Sequence, residues 1–374
     1  MGGKKSSSKA VLIVGPIPPP YHGVSIITET IITSDLREHF DLHLLDITDR
    51  REISNVGHPD LKDIGLFIKQ FLNLVRLILL KKPRIVYLTL SQTLIGYTRD
   101  VLFFIPAIVL SKKIILHLQG GSFRNFYENS NFLIRKLIKY TLKGVARILI
   151  LSKRFESIFD GIFPKKNLRI VPDGIKVPEF ESINKYKDSK TPRVLYTGTL
   201  MEEKGFLCII KAIPIVIGQR DAEFIFIGDW YRDKDRNKAL NLIRRFGIAR
   251  YVNFLGTVDG ETKQRWFLSS DIFVFVPLHE EGQPLTILEA MGYSLPIIST
   301  NSGCIEDMVV DSENGFIVKR GDHQAVAEKL LILLSNDELR TKMGELGKRR
   351  FFDRFTAERF IHNLGQAFQE VLRV

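Results

Sequence analysis

Short apolar runs suited to buried strands alternate with longer stretches of helical periodicity twice along this chain, and that double alternation limits the fold more than any other feature. The first series is Val11–Val14, His43–Leu45, Ile85–Thr89, Ile114–Leu118 and Ile148–Leu151. A strand, a loop and a helix in repeated order specify a parallel, doubly wound sheet, because a crossover helix is what carries the chain back to start the next parallel strand. Periodicity is lost at 178–192, PEFESINKYKDSKTP, and the series then restarts with Val194–Thr197, Phe224–Ile227, Val252–Leu255, Ile272–Val276, Ile297–Ser299 and Phe316–Val318. At 374 residues the chain exceeds the roughly 250–300 at which a single core stops growing. The expectation is an α/β chain of two Rossmann-like domains, 9–178 and 193–355. A linker at 179–192 joins them, a disordered basic leader occupies 1–8, and an amphipathic helix ends the chain at 356–374.

Composition excludes several classes. The longest apolar run, Val101–Leu110, is half of the ~20 residues that cross a bilayer, and Ala10–Val14 is too short for the core of an export signal. Cys208 and Cys304 stand far apart without partners at metal-ligand spacing, which fits a reducing cytoplasm. The opening MGGKKS matches a myristoylation pattern, but the pattern is short and acts only where the transferase exists, so a disordered basic leader is the preferred reading. The net charge of +12 is one-sided: residues 1–177 carry 27 Lys+Arg against 14 Asp+Glu, or +13, and the remainder 27 against 28, or −1. The first half therefore calls for an anionic partner: a membrane face, a phosphorylated acceptor or nucleic acid.

The densest chemical signal is EGQPLTILEAM, Glu281–Met291, which follows a buried strand and opens a helix. Pro284 suits a first helical turn, and the free backbone N–H groups near Leu285 and Thr286, at the positive end of the helix dipole, form an anion site that holds a diphosphate without a metal. Glu281 and Glu289 flank it, Glu289 lying about 7 Å along the helix at ~1.5 Å per residue. Each accepts hydrogen bonds from hydroxyls, so one suits a donor sugar and the other a ribose. A single glutamate in either place is ordinarily a helix-start or solvated residue; the ordered set of strand, Glu281, Gly282, Gln283, Pro284, helix and Glu289 is what carries the reading.

Glu281–Met291, with LPIIST at 295–300, Gly303, Glu306, NGFIV at 314–318, VNFLG at 252–256, SSDIFVFVP at 269–277, the Gly198 and Lys204-Gly205 stretch and the loop around Gly23, resembles the retaining glycosyltransferases of family 4. The resemblance implies a GT-B fold, with the last helix crossing back to the first domain. The donor, a nucleotide diphosphate sugar, is then held mainly by the second domain and the acceptor mainly by the first. No metal or other cofactor is expected; Asp233 and Asp235 form a DKD motif, but among Arg232, Lys234 and Arg236 it reads as a charge-balanced loop.

Lys204 follows the first strand of the second domain, where strand C-termini line a ligand crevice, so its ammonium is placed to neutralise a departing diphosphate. Similar enzymes carry an arginine beside the glycine where this chain has Thr199 after Gly198, and a glycine pair where it has His22 and Gly23. Backbone N–H groups at Gly23 are expected to face phosphates. In ILHLQGGSF, 115–123, family members carry a histidine before such a glycine at the reacting centre; here that position is Gln119, with His117 two residues earlier on the same strand face. Either can approach the sugar, a lone strand histidine is more often a core residue, and glutamine cannot take up a proton. In retaining enzymes of this class the leaving phosphate is thought to accept the acceptor's proton, which leaves the protein positioning and charge stabilisation, mainly through Lys204 and Glu281's helix.

Arg135, Lys139 and Lys143 recur every four residues, with Lys136 adjacent, on a helix otherwise apolar. This stripe suits an anionic membrane and a polyprenyl-diphosphate-linked or other glycan acceptor on the inner face of the cell membrane; the plainer reading is a helix packed on its sheet. A hexosyl transfer in cell-surface polysaccharide biosynthesis is the function implied. A nucleotide-sugar 2-epimerase of the same fold is the alternative, and a nucleic-acid-binding protein is disfavoured because no aromatic-basic interleaving accompanies the charge.

Overall fold

The computed structural model describes residues 9–48, 61–178 and 190–373; the expected leader at 1–8 and most of the expected linker at 179–192 lie outside them. The chain divides into two compact units, Met1–Gly174 with Ala357–Val374, and Ile175–Thr356.

The first unit is built on six strands, β1 Ala10–Gly15, β2 Asp41–Asp46, β3 Ile85–Thr89, β4 Lys113–Leu118, β5 Val145–Ile150 and β6 Leu168–Ile170, in the spatial order β2-β1-β3-β4-β5-β6. All neighbours pair in parallel. β1 is buried along its whole length and β3 along most of it, as strands covered by helices on both faces must be. β6 has no counterpart in the sequence reading: its three residues, LRI, lie at the sheet edge and are half exposed or exposed, so no apolar run marks them. The amphipathic helix Ala357–Arg373 belongs to this unit and turns Phe360, Leu364, Ala367 and Phe368 inward. The Phe368 ring meets Phe40 edge-on at 5.5 Å and Tyr87 at 6.0 Å, and Phe360 stacks 6.3 Å from His117.

The second unit repeats the plan with β7 Arg193–Thr197, β8 Glu223–Ile227, β9 Val252–Gly256, β10 Ile272–Phe275, β11 Ile297–Thr300 and β12 Gly315–Val318, in the order β12-β11-β10-β7-β8-β9, again all parallel. The chain lays down β7 to β9 in one direction, then returns to lay β10 to β12 on the other side of β7. The crevice at such a reversal, outside the C-terminal ends of β7 and β10, is where open α/β sheets bind ligands. Helix Phe206–Ile217 is apolar nearly all round because it is covered on both sides, by the sheet and by helix His323–Leu334.

If the last helix is a core element of the first unit, Phe368→Ala, which empties a site with 0% exposure, costs about 3–5 kcal/mol. Thermal unfolding followed by intrinsic fluorescence checks this; an unchanged transition contradicts it.

Candidate functional site

In the second unit the loops that leave β7 and β10 converge. After β7 the chain passes Gly198, at φ 147°, and exposed Thr199, then forms a turn over Glu202–Lys204 that ends at Gly205. Gly205 has φ 82°, and a Cβ there would lie 1.8 Å from the Val276 carbonyl oxygen, so only glycine lets this turn press against the chain leaving β10. Lys204 Nζ lies 2.6 Å from Glu281 Oε1, and His279 Nε2 is 3.4 Å from the same oxygen while its Nδ1 is 2.9 Å from the Glu203 carbonyl oxygen. Glu281 itself is buried, its backbone N–H donating to Ser302 Oγ at 2.9 Å. Gly303, at φ 54°, allows a similarly close approach, since a Cβ there would sit 1.7 Å from the Glu281 carbonyl oxygen.

Helix Leu285–Gly292 begins at Pro284 with no side-chain cap, so its leading N–H groups stay available to an anion. By contrast Asp259, Asp322 and Asn336 cap the helices they precede. The Thr286 hydroxyl is used inside the fold, bonded to Thr197 Oγ1 and, at 3.1 Å, to the Thr197 carbonyl, which ties the helix start to β7. Gln283 is buried, and the Gly282 carbonyl accepts from Cys304 N at 3.2 Å. Further along, both Glu289 oxygens lie 2.7 Å from Lys263 Nζ.

Residues that the motifs did not single out hold this arrangement. Arg232 bridges Glu203, at 2.8 Å, and buried Asp235, at 2.7 Å, and Lys238 bonds Glu202, so the turn carrying Lys204 is clamped from below. Asp233 and Asp235 of the DKD motif are thus the first turn of helix Asp233–Phe246, with Asp235 wholly engaged in positioning. Glu280 accepts from Gly303 N at 2.8 Å and from Arg320 at 2.6 Å, fixing the loop after β11. His279, Glu280, Lys263 and Arg320 were invisible as a set because they are separated by up to 57 residues; only the adjacency of His279 and Glu280 to Glu281 was a signal.

In the first unit, Gly23 opens helix Gly23–Thr33, and His22 is its cap: Ser25 N donates to His22 Nδ1 at 3.3 Å and His22 N to Ser25 Oγ at 3.0 Å. The cap consumes the Ser25 N–H, leaving Gly23 and Val24 as the free donors of the first turn. His117 is a core residue rather than a surface group. It is 0% exposed, its Nδ1 lies 2.7 Å from Tyr87 Oη, and burial drives its pKa from 6.5 down to about 3. Asp173, also buried, approaches His117 Nε2 at 3.9 Å and is hydrogen-bonded by the Gln119 side chain; burial pushes its carboxyl from 3.8 up to about 8, the Gln119 bond opposing. Gln119 Oε1 is buried without a hydrogen-bond partner, a state that costs about 1–3 kcal/mol until something donates to it. His117 and Gln119 are therefore placed at different depths.

The basic stripe lies on helix Phe132–Leu142 and its C-cap, Lys143. Lys136, Lys139 and Lys143 are exposed, but the Arg135 guanidinium turns back to the Ser130 carbonyl, at 2.8 Å, and to that of Glu128, closing the end of helix Phe123–Asn129. No helix among the described residues is long and apolar enough to cross a membrane.

Two Rossmann-like units, the second with an uncapped helix end, a lysine and two flanking glutamates at its switch point, define a GT-B glycosyltransferase. Residues 179–350 match the model of the family described as glycosyl transferases group 1. The capsular polysaccharide biosynthesis glycosyltransferase CapM of Staphylococcus aureus is 24% identical over 359 residues, 90% of this chain and 92% of that one. A glycosyltransferase from Rickettsia africae ESF-5 superimposes with a TM-score of 0.79 at 16% identity, over 98% of this chain and 99% of that one. Anabaena Alr3699/HepE in complex with UDP-glucose gives 0.73 at 14% identity, over 97% and 100%.

The buried pair in the first unit has a measurable consequence. Between the ordinary carboxylate value of 3.8 and about 8, folded Asp173 holds a proton that the unfolded chain has released, so rising pH destabilises the fold. Between about 3 and 6.5, His117 has the opposite effect, because the unfolded chain binds the extra proton. The two cancel at acid pH and leave Asp173 alone from about pH 6.5 to 8, where stability falls by at most about 2 kcal/mol. Urea unfolding at several pH values is expected to show this fall in the wild type and its loss in Asp173→Asn.

Proposed function

We propose that the protein transfers a hexosyl group from a nucleotide diphosphate sugar to a glycan or lipid-linked glycan, with retention of anomeric configuration and without a metal. The observation that carries this reading is the uncapped start of helix Leu285–Gly292 beside the Lys204–Glu281 pair. Phosphate oxygens accept from the leading N–H groups and draw the Lys204 ammonium from Glu281, whose carboxylate is then free to take a sugar hydroxyl; Glu289, held by Lys263, takes the ribose. Charge that develops on the departing diphosphate meets donors already in place, which is how such a site lowers a barrier. Support for the donor comes from HepE, bound to UDP-glucose, and support for the polysaccharide setting from the name of CapM.

A thermal-shift panel of UDP-, GDP- and ADP-sugars without metal tests the site. One sugar nucleotide at a hundred times its Kd is expected to stabilise the protein by about 2.7 kcal/mol. Lys204→Ala and Glu281→Gln are expected to lose that shift and to lower transfer by about 10²–10³. Product analysis by NMR separates the outcomes: an α-linked product from an α-linked donor supports retention, an inverted product overturns it, and a 2-epimerised nucleotide sugar without transfer overturns the transferase reaction itself.

The acceptor side reads as a docking face for an anionic membrane on its cytoplasmic side. Of the 23 large apolar side chains exposed among the described residues, 14 fall in 65–82, 94–113 and 131–144. The same three segments hold eleven Lys and Arg against one acid, Asp100, which is buried. Their helices lie side by side, Phe67 stacked on Phe103 at 5.6 Å and Tyr97 Oη 2.7 Å from Thr141 Oγ1. Apolar area together with cationic charge is what binds a helix layer to an anionic bilayer. Co-sedimentation with phosphatidylglycerol-containing vesicles is expected to capture the protein, and Ile105→Glu with Val109→Glu to release it; a protein that stays in the supernatant at low salt contradicts the docking face.

A further inference from the structure

Glu281 shares one carboxylate oxygen between two groups. Lys204 Nζ lies 2.6 Å from Oε1 and His279 Nε2 3.4 Å from the same atom, and among the described residues these are the partners within ion-pair reach of Glu281. The His279 ring is fixed at its other nitrogen. Nδ1 lies 2.9 Å from the Glu203 carbonyl oxygen, which also accepts the Leu278 N–H at 2.9 Å. A carbonyl oxygen has no hydrogen to give, so Nδ1 carries a proton in both charge states of the ring. The backbone is fixed as well: the Ser302 hydroxyl donates to the His279 carbonyl and accepts from Glu281 N. Titration of the ring therefore changes Nε2, which holds a lone pair when neutral and an N–H when cationic, in either state beside the Glu281 carboxylate.

The other charges around the ring are committed elsewhere. The Glu203 carboxylate is turned to Arg232 at 2.8 Å, and Glu280 to Arg320 at 2.6 Å and to Gly303 N at 2.8 Å. Tyr196, on β7, is held neutral, since burial and then the Glu281 charge raise its pKa well above 10. Lys204 and Glu281 are left to set the charge of His279. While the ammonium is paired with Oε1, it disfavours a second cation there. Once it leaves, a carboxylate with 8% exposure has lost its counter-ion, and an opposite charge within about 4–6 Å favours the imidazolium. The His279 side chain, 38% exposed, is open to a proton from solvent.

We propose that His279 is a positioning residue for Glu281: when the diphosphate of the donor draws Lys204 away, His279 takes up one proton from solvent, and its Nε2–H replaces the ammonium at Oε1. The inference rests on the reading of Lys204 and helix Leu285–Gly292 as the donor site. Glu281 then stays ionised and aimed after its partner has gone, and Oε2 is left to accept a sugar hydroxyl. No bond of the substrate takes part; the proton replaces the charge that Lys204 carries off. Because the bound state holds more protons than the free one, donor binding is strongest at low pH and weakens as pH rises through the range in which histidine titrates.

Calorimetric titration with the nucleotide sugar that stabilises the protein, repeated in buffers of different ionisation enthalpy, counts the proton; the sugar's diphosphate is esterified at both ends and exchanges none of its own near neutral pH. The wild type is expected to take up as much as one proton per nucleotide sugar bound, and its Kd to rise by up to about tenfold per pH unit through the histidine range. His279→Gln is expected to bind without uptake and with a Kd that pH leaves nearly unchanged. Lys204→Met reproduces the withdrawal of the ammonium without any ligand. In it the His279 ring, assigned in NMR spectra by its loss in His279→Gln, is expected to keep its proton to a higher pH than in the wild type. Lys204→Met combined with Glu281→Gln is expected to lose that gain, since the coupling runs through Glu281. Binding without proton uptake overturns the proposal, as does equal uptake by His279→Gln or an unchanged His279 titration in Lys204→Met. If no nucleotide sugar binds the wild type, the donor assignment fails, and the Lys204→Met titration still decides whether His279 takes over from Lys204 at Glu281.

Discussion

A parallel sheet places all its strand C-termini on one edge, and wherever the strand order reverses, the two loops that leave that edge cannot cover each other. In the second unit this happens between β7 and β10, and everything chemically distinctive there follows from it. The turn that carries Lys204 comes from β7 and the run that carries Glu281 from β10. They are brought to 2.6 Å because Gly205 and Gly303 remove the side chains that would hold the backbones apart. Without those two glycines an ammonium and a carboxylate 77 residues apart would not share a site.

The ion pairs around this point are half exposed for the most part, and pairs of that kind add little to folding stability. Their importance is geometric. Arg232 fixes the Lys204 turn against Glu203 and Asp235, Lys263 fixes Glu289, and Arg320 fixes the loop after β11 through Glu280. Donors aimed before a substrate arrives need no reorganisation when charge develops, and this network keeps them aimed. The first unit achieves the same rigidity by other means: Phe360 and Phe368 of the last helix pack against His117 and Tyr87, and burial leaves that cluster neutral near pH 7.

Alternating periodicity made the two sheets legible, since a strand covered on both faces has to be apolar throughout and its crossover helix amphipathic. β6 escaped because an edge strand of three residues needs neither. The motif from Glu281 to Met291 was legible because its parts are contiguous: a helix start, a proline and two carboxylates at fixed spacing lie within one turn-and-helix element. His117 looked like a candidate for contact with the sugar and proves to be interior, because strand periodicity assigns a face to a side chain but not its depth along the strand.

The chain's linear order determined the fold class, the place of the uncapped helix start after Glu281 and the lopsided charge, since each depends on residues close together in sequence or on simple sums. Only tertiary structure decided which groups act on one another: that Lys263 holds Glu289 and that Arg232 steadies Lys204. Those partners meet through the winding of the sheets, over separations of 26 and 28 residues, and hydrogen bonds and ion pairs are too short-ranged to leave a trace in spacing.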